Sequence, residues 1–261
     1  METLRSPGYT TRPFLTIRRA YLDVLDSGRR KRVIHGLVEV DVTDARAIIR
    51  AAEEPPSFTA YLIWAVGRAV AADPIVQAYR QGRRMVLFDD VDVNTQIEVE
   101  EQGQKIVKSH VFREANLRDV ASLSAEMRDA QHPHHVSGER RYRGARAFAS
   151  LPRPVRALPW RIAMGNPFLF RKLGGTVGLS AVGMFGSGGW GIPIAPPTLM
   201  VTVGGITRKP RFVGGVLLDR EMLALTLSFD HAVVDGAPAA RFAARLTALL
   251  ETASGLANGA E

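Results

Sequence analysis

Leu225-Thr-Leu-Ser-Phe-Asp-His231-Ala-Val-Val-Asp235-Gly236 is the stretch that decides how this chain is read. Leu223, Leu225, Leu227 and Phe229 alternate onto one face of a strand, and His231 continues that face just where the pattern stops. Beyond Asp235 and Gly236, the apolar residues Ala239, Phe242, Leu246, Leu249 and Leu250 recur at helical spacing, and Pro238 suits a first helical turn. The unit is therefore strand, tight turn and amphipathic helix, with a histidine in the turn and a carboxylate four residues later. That is the layout of a general base with an orienting carboxylate. It is equally the layout of a buried histidine bonded to a carbonyl beside an Asp-Gly turn made for backbone reasons, and the segment alone leaves both open.

Other segments add weight. Upstream lies Gly174-Gly-Thr-Val-Gly-Leu-Ser180-Ala-Val-Gly183-Met-Phe-Gly186, followed by Ile192-Pro-Ile-Ala-Pro196-Pro197 and a strand from Thr198 to Val203. Taken in order with the His231 segment, these residues resemble the catalytic domain of the dihydrolipoyl acyltransferases of 2-oxoacid dehydrogenase complexes, relatives of chloramphenicol acetyltransferase. The resemblance is strong from Gly174 to Glu251. It is weaker from Gly36 to Gln131, where Gly36-Leu-Val-Glu-Val-Asp-Val-Thr43, Ser57-Phe-Thr and Asp92-Val-Asn-Thr keep the family's order.

The resemblance implies roles for three residues. His231 matches the histidine that takes the proton from an incoming thiol, so that the thiolate attacks an acyl thioester directly. Ser180 matches the serine whose hydroxyl bonds the oxyanion, and Asp235 matches the aspartate or asparagine that holds the histidine motif. Histidine is suited to the first role because its ordinary pKa lies near working pH, and a serine hydroxyl is a donor that can be aimed at developing charge. Read without the family, Ser180 is as well explained by a strand-end hydroxyl bonded to backbone.

The same resemblance implies acyl-CoA as substrate, a thiol acceptor of dihydrolipoyl type, and a homotrimer in which the histidine of one chain faces the serine of its neighbour. Ala232 stands where the dihydrolipoyl enzymes usually carry arginine. That departure admits a small hydroxyl or thiol metabolite as acceptor, as in the chloramphenicol branch. A catalytically idle trimeric scaffold is the reading from a different class. No lipoyl domain or Ala/Pro-rich linker precedes the first strand, so the expectation is a stand-alone catalytic unit carrying no lipoyl group, with any lipoyl group on a separate protein. The small polar end Glu251-Thr-Ala-Ser-Gly-Leu-Ala-Asn-Gly-Ala-Glu261 favours a plain trimer over a cubic assembly.

Composition agrees with a substantial folded domain. The 261 residues are 46% hydrophobic and 23% charged, and they contain no cysteine, which excludes disulfides, thiolate zinc sites and a thiol nucleophile. The start lacks the apolar stretch of a secretory signal, and the apolar run Ala60 to Ala72 is broken by Arg68, so a cytoplasmic protein is expected. Alternation at Gly36–Val42, Val91–Val99 and Lys105–Phe112 marks strands. A helix is opened by Pro55, Pro56 and a Ser57 cap, and another is expected over Leu117–Ala130 with Asn116 as its cap. Mixed without a strict βα repeat, these elements predict an α/β two-layer sandwich with a mixed sheet, and the resemblance implies that it is of the chloramphenicol acetyltransferase kind. The expected organisation is an N-terminal extension over 1–35, a catalytic domain over 36–251 and a flexible tail over 252–261.

Residues 138–172 are the most individual part. Nine basic residues stand there against Glu139 alone, interleaved with aromatics and with prolines at 152, 154, 159 and 167, and they account for the net charge of +8. A structural arm with its apolar side packed and its arginines solvated is the first reading; a lining for CoA phosphates and a membrane-touching patch are the others. Nucleic acid is disfavoured because no motif for it is present. No metal is expected: His132-Pro-His134-His135 lacks further spaced ligands and reads as a solvated loop. Asp89, Asp90 and Asp92 read as a solvated turn, and His35 and His110 as strand-edge residues without further signal. No residue is singled out as gripping CoA.

Overall fold

A computed structural model describes residues 4–6, 8–11, 14, 16–101, 104–131, 148, 150–181 and 188–256. The order is β1 (Leu4–Ser6), β2 (Tyr9–Thr11), α1 (Thr16–Gly28), β3 (Val33–Asp41), α2 (Thr43–Ala51), α3 (Phe58–Ala72), β4 (Tyr79–Gln81) and β5 (Arg84–Val86). It continues with β6 (Val93–Glu101), β7 (Gln104–Phe112), α4 (Val120–Gln131), α5 (Arg153–Gly165), α6 (Pro167–Gly174), β8 (Val177–Ala181), β9 (Leu199–Val213), β10 (Val216–Asp230) and α7 (Gly236–Glu251).

Six strands form one mixed sheet in the order β3-β10-β9-β8-β6-β7. β9 and β10 make a long antiparallel hairpin, closed by Gly214 and Gly215 at φ +57° and +85°. Two consecutive positive φ values suit the right-handed twist of a tight hairpin, and glycine adopts them without a Cβ clash. β8 runs parallel to both β9 and β6, which demands crossovers rather than hairpins on its two sides. The alternation at Leu223, Leu225, Leu227 and Phe229 places those side chains in the core with Leu179, Val201 and Val203, under α3 and α7. Phe242 of α7 meets Phe229 edge-on at 5.8 Å between ring centroids, and the buried Tyr61 hydroxyl of α3 donates to the Leu249 carbonyl at 3.1 Å. The two-layer mixed sandwich expected from the pattern is the observed fold.

Ser57 caps α3 as expected, accepting from the Ala60 N–H at 3.4 Å. The second expected helix is shorter: it begins at Val120, and Asp119 takes the Ser122 N–H at 2.8 Å. Asn116 is instead buried and accepts the Val91 N–H at 2.8 Å, tying the loop to the entry of β6. Non-local satisfaction of a buried backbone donor has displaced local capping there. The strands expected at Gly36–Val42 and Thr198–Val203 extend to Val33–Asp41 and Leu199–Val213.

Of the region 252–261, expected as a flexible tail, residues 257–261 lie outside the described residues, while Ala253 is buried, Leu256 packs against the core, and Gly255 sits against the Trp64 ring. The region 1–35, expected as an N-terminal extension, contains α1, whose Asp23 makes a buried pair with Arg156 of α5 at 2.9 Å. Residues 138–147 and 149 of the arm lie outside the described residues; in the rest Phe170, which meets Tyr79 at 5.2 Å, and Met164 pack inward, whereas Val155, Leu158, Ile162 and Phe168 are exposed, so the expected burial of its apolar side is only partial. Its arginines are not uniformly solvated: besides Arg156, Arg171 holds Asp92 at 2.7 Å and Asp90 at 3.1 Å.

Gly67 in α3 decides how closely that helix approaches the β7–α4 connection. A Cβ there would lie 2.8–2.9 Å from backbone atoms of Ala115 and Asn116, which have no freedom to withdraw. Gly67→Ala is therefore expected to destabilise the fold by about 3 kcal/mol, read as a lower midpoint in urea unfolding.

Candidate active site

His231 stands directly beyond β10, in the turn before α7, with 47% of its side chain exposed. Its backbone is fixed: the His231 N–H donates to the Arg32 carbonyl at 2.7 Å. Its ring is not tightly held by Asp235, since Nδ1 and Oδ1 are 3.6 Å apart, beyond hydrogen-bond length. The Asp235 side chain is 86% exposed and makes no cap bond at the start of α7. The expectation that Asp235 holds the turn is thus replaced by a different residue.

That residue is Asp230. Its carbonyl accepts from the N–H groups of Val233 and Val234 at 2.9 and 3.0 Å, its N–H donates to the Thr198 carbonyl at 2.9 Å, and its Oδ1 accepts the Ala232 N–H at 3.1 Å. Oδ2 pairs with the Lys31 ammonium at 3.3 Å, both side chains being nearly buried. The ammonium also lies over the Tyr79 ring, 5.3 Å from its centroid. Burial pushes Lys31 below its ordinary pKa, while the Asp230 charge and hydrogen bond act against that shift. The sequence carried a signal for Asp230, namely an aspartate immediately before the histidine; nothing in the local pattern marked Lys31.

Ser180 lies near the end of β8, in register with Thr202 of β9, which is in register with Thr226 of β10. Because strand side chains alternate and Leu179, Val201, Leu225 and Leu227 face the core, these three hydroxyls share the opposite face. The Thr202 and Thr226 hydroxyls are buried and have no hydrogen-bond partner among the described residues. They were missed in the sequence because a threonine in a strand is ordinary; only register places them beside Ser180.

Register also separates the two residues matched to catalytic roles. His231 is five positions beyond Thr226, roughly 16 Å along the strand, and two strands across from Ser180, about 10 Å more. No side chain spans that gap, so one chain does not bring His231 and Ser180 together.

Asp92 is not a solvated turn residue: its side chain is almost fully buried and accepts from Arg171, Arg113 and the Glu114 N–H. Burial alone would raise its pKa, but those hydrogen bonds outweigh it and hold the carboxyl below the usual range. A depressed folded-state value means that this stability is present above the ordinary carboxylate pKa and is lost as pH falls through the folded one. Native protein should lose urea resistance below about pH 4, and Asp92→Asn should flatten that acid limb while lowering stability at pH 7.

His35 is bonded through Nδ1 to the buried Ser228 hydroxyl at 2.8 Å, and His110 pairs with Glu126 at 2.7 Å. The cluster His132, His134 and His135 lies outside the described residues, as do Gly183 and Gly186. Among the described residues no group of three metal-ligating side chains comes together, and no helix is long and apolar enough to cross a membrane.

Residues 172–257 match the family model of the 2-oxoacid dehydrogenases acyltransferase (catalytic domain). The acetyltransferase component of the pyruvate dehydrogenase complex of Zymomonas mobilis is 28% identical over 196 residues, covering 75% of this chain and 37% of that protein. The chain thus spans little more than a third of the length of that curated relative. A probable dihydrolipoamide acetyltransferase of Listeria monocytogenes superposes with TM-score 0.71 at 20% identity, covering 95% of this chain and 97% of the other. The Azotobacter vinelandii dihydrolipoamide acetyltransferase gives 0.69 at 19% identity, over 95% and 93%. A chloramphenicol acetyltransferase gives 0.50 at 18%, over 92% and 100%. Residues 172–257, which hold Ser180, His231 and Asp235, therefore match the catalytic-domain pattern of the 2-oxoacid dehydrogenase acyltransferases, and the chain as a whole has a chloramphenicol acetyltransferase-like fold.

Proposed function

We propose that this chain is an acyltransferase that moves an acyl group between CoA and a thiol acceptor by direct transfer. The observation that carries the proposal is a half-exposed His231 held by its backbone at the end of β10, inside the segment that matches the acyltransferase catalytic domain. In the Azotobacter relative, a serine, a histidine and an asparagine serve in the catalytic mechanism, the last two four residues apart, as His231 and Asp235 are here.

In the proposed reaction the imidazole of His231 takes the acceptor thiol proton, and the thiolate attacks the thioester carbonyl. The Ser180 hydroxyl donates to the oxyanion of the tetrahedral intermediate. Collapse breaks the bond to the CoA sulfur, and the imidazolium returns its proton to the leaving thiolate. Asp235, four residues on, biases the ring through its charge and not through a hydrogen bond.

The distance between Ser180 and His231 within one chain supports a site shared between subunits, and we assign the active form to a homotrimer. We take residues 36–251, with the adjoining Lys31 and Arg32 and the packed residues Ala253 and Leu256, as the catalytic unit, and place the protein in the cytoplasm where acyl-CoA is formed. Ala232 in the position after the histidine favours a second acceptor class, a small hydroxyl or thiol metabolite.

The test is release of free CoA thiol from a panel of acyl-CoAs, with dihydrolipoamide present or absent, comparing native protein with His231→Gln. Turnover that needs both dihydrolipoamide and His231 is the expected result. Turnover that ignores His231 would sink the mechanism.

A further inference from the structure

We propose that Lys31 is a positioning residue for His231, acting through Asp230, so that the connection between α1 and β3 is part of the active site. The inference rests on the acyltransferase reading and deepens it.

Two neighbouring residues of that connection grip the histidine turn from both sides. Arg32 accepts the His231 N–H at 2.7 Å through its carbonyl, and Lys31 reaches the Asp230 carboxylate at 3.3 Å. Asp230 has every polar group committed to the turn or its neighbours: carbonyl to Val233 and Val234, N–H to Thr198, one carboxylate oxygen to Ala232 and the other to Lys31. A nearly buried carboxylate keeps this arrangement only while its charge is compensated. Lys31 is the cation within salt-bridge distance of Asp230 among the described residues. Its ammonium is itself held over the Tyr79 ring, and the Tyr79 hydroxyl is fixed to the Thr176 carbonyl at 2.8 Å.

The base of the grip is equally constrained. Lys31 donates its N–H to Gly28 at the end of α1, and a Cβ on Gly28 would come within 2.8 Å of Ile194 and 3.2 Å of the Pro196 nitrogen. The end of α1 therefore sits against the segment that leads into β9, and Lys31 is presented from a fixed point. Asp235 does not share this task, since its side chain is exposed and reaches the His231 ring only at 3.6 Å. Orientation of the base depends on its backbone, and the backbone depends on the Lys31–Asp230 pair.

The test is amide hydrogen exchange of the full chain, joined to steady-state kinetics, for Lys31→Met and for Lys31→Met combined with Asp230→Asn. Methionine keeps the stem and removes the charge; asparagine removes the stranded charge and keeps an oxygen for the Ala232 N–H. In Lys31→Met, exchange of the His231 and Ala232 amides should rise about tenfold or more, while Leu225 and Leu227 in the same strand stay unchanged. kcat should fall about tenfold with KM for acyl-CoA within about twofold, because binding surfaces are untouched while the base is displaced. In the double variant, exchange at both amides should return toward native, and kcat should rise severalfold above the single variant. Native exchange at His231 and Ala232 in Lys31→Met overturns the proposal, as does elevated exchange that the second substitution does not correct. If Lys31→Met does not fold, the double variant decides alone: protected amides support the role, and exposed ones overturn it. Absence of acyl transfer in native protein would remove the acyltransferase reading, while the exchange result would still judge Lys31 separately.

Discussion

His231→Gln is expected to lower kcat for acyl transfer to a thiol by about 10³-fold, within the range that loss of a positioned general base produces. Glutamine keeps much of the volume at this half-exposed turn, so the fold should not suffer: the stabilising contacts there are backbone bonds to Arg32 and the Asp230 pivot, neither of which involves the imidazole. A thermal midpoint within a few degrees of native, with kcat collapsed, is the expected signature. Ser180→Ala should cost less, about 10²-fold, because it removes one donor to the oxyanion and leaves the base in place. Comparable loss of binding, seen as a raised KM with kcat intact, would place His231 in substrate recognition instead.

The second large effect is one of complementation. Ser180 and His231 are separated within a chain by roughly 16 Å along the sheet and about 10 Å across it, so each proposed site takes its base from one subunit and its oxyanion donor from another. Chains carrying Ser180→Ala and chains carrying His231→Gln are each nearly inactive alone. Mixed at random in trimers, about one site in four should combine an intact histidine with an intact serine, so activity should return to about a quarter of native. Co-expression followed by purification of the mixed oligomer and a free-thiol assay reads this directly. A single-chain site predicts almost no recovery, because every chain in the mixture lacks one residue. Recovery that disappears when the oligomer is dissociated by dilution would further tie activity to the interface.

Much of the fold could be read from local pattern, for a definite reason. Strand alternation at Leu223 to Phe229 and helical spacing at Ala239 to Leu250 are periodicities imposed by burial of one face, and burial of one face is what a two-layer sandwich requires. The Ser57 cap was legible for the same kind of reason, since its bond is made within one turn of α3. Asn116 was misread because its side chain answers a donor at Val91, in a separate strand. The Asp92 carboxylate was misread similarly: an acidic run looks solvated until Arg113 and Arg171, distant in sequence, fold onto it. The packed turn at Ala253 looked like a frayed end because small residues carry no periodic signal.

The candidate site divides along the same line. Residue type and spacing alone reveal a histidine directly after the strand at His231, a carboxylate four residues later, and a serine near a strand end at Ser180, because each is a local pattern. Folding was needed to reveal that Asp230 rather than Asp235 anchors the turn, that Lys31 pairs with it, that the Thr202 and Thr226 hydroxyls stand beside Ser180, and that Ser180 and His231 do not meet in one chain. Those facts depend on strand register and on contacts between residues as far apart in sequence as Lys31 and Asp230. Register and long-range pairing are set by how whole faces pack together, and no window along the chain contains that information.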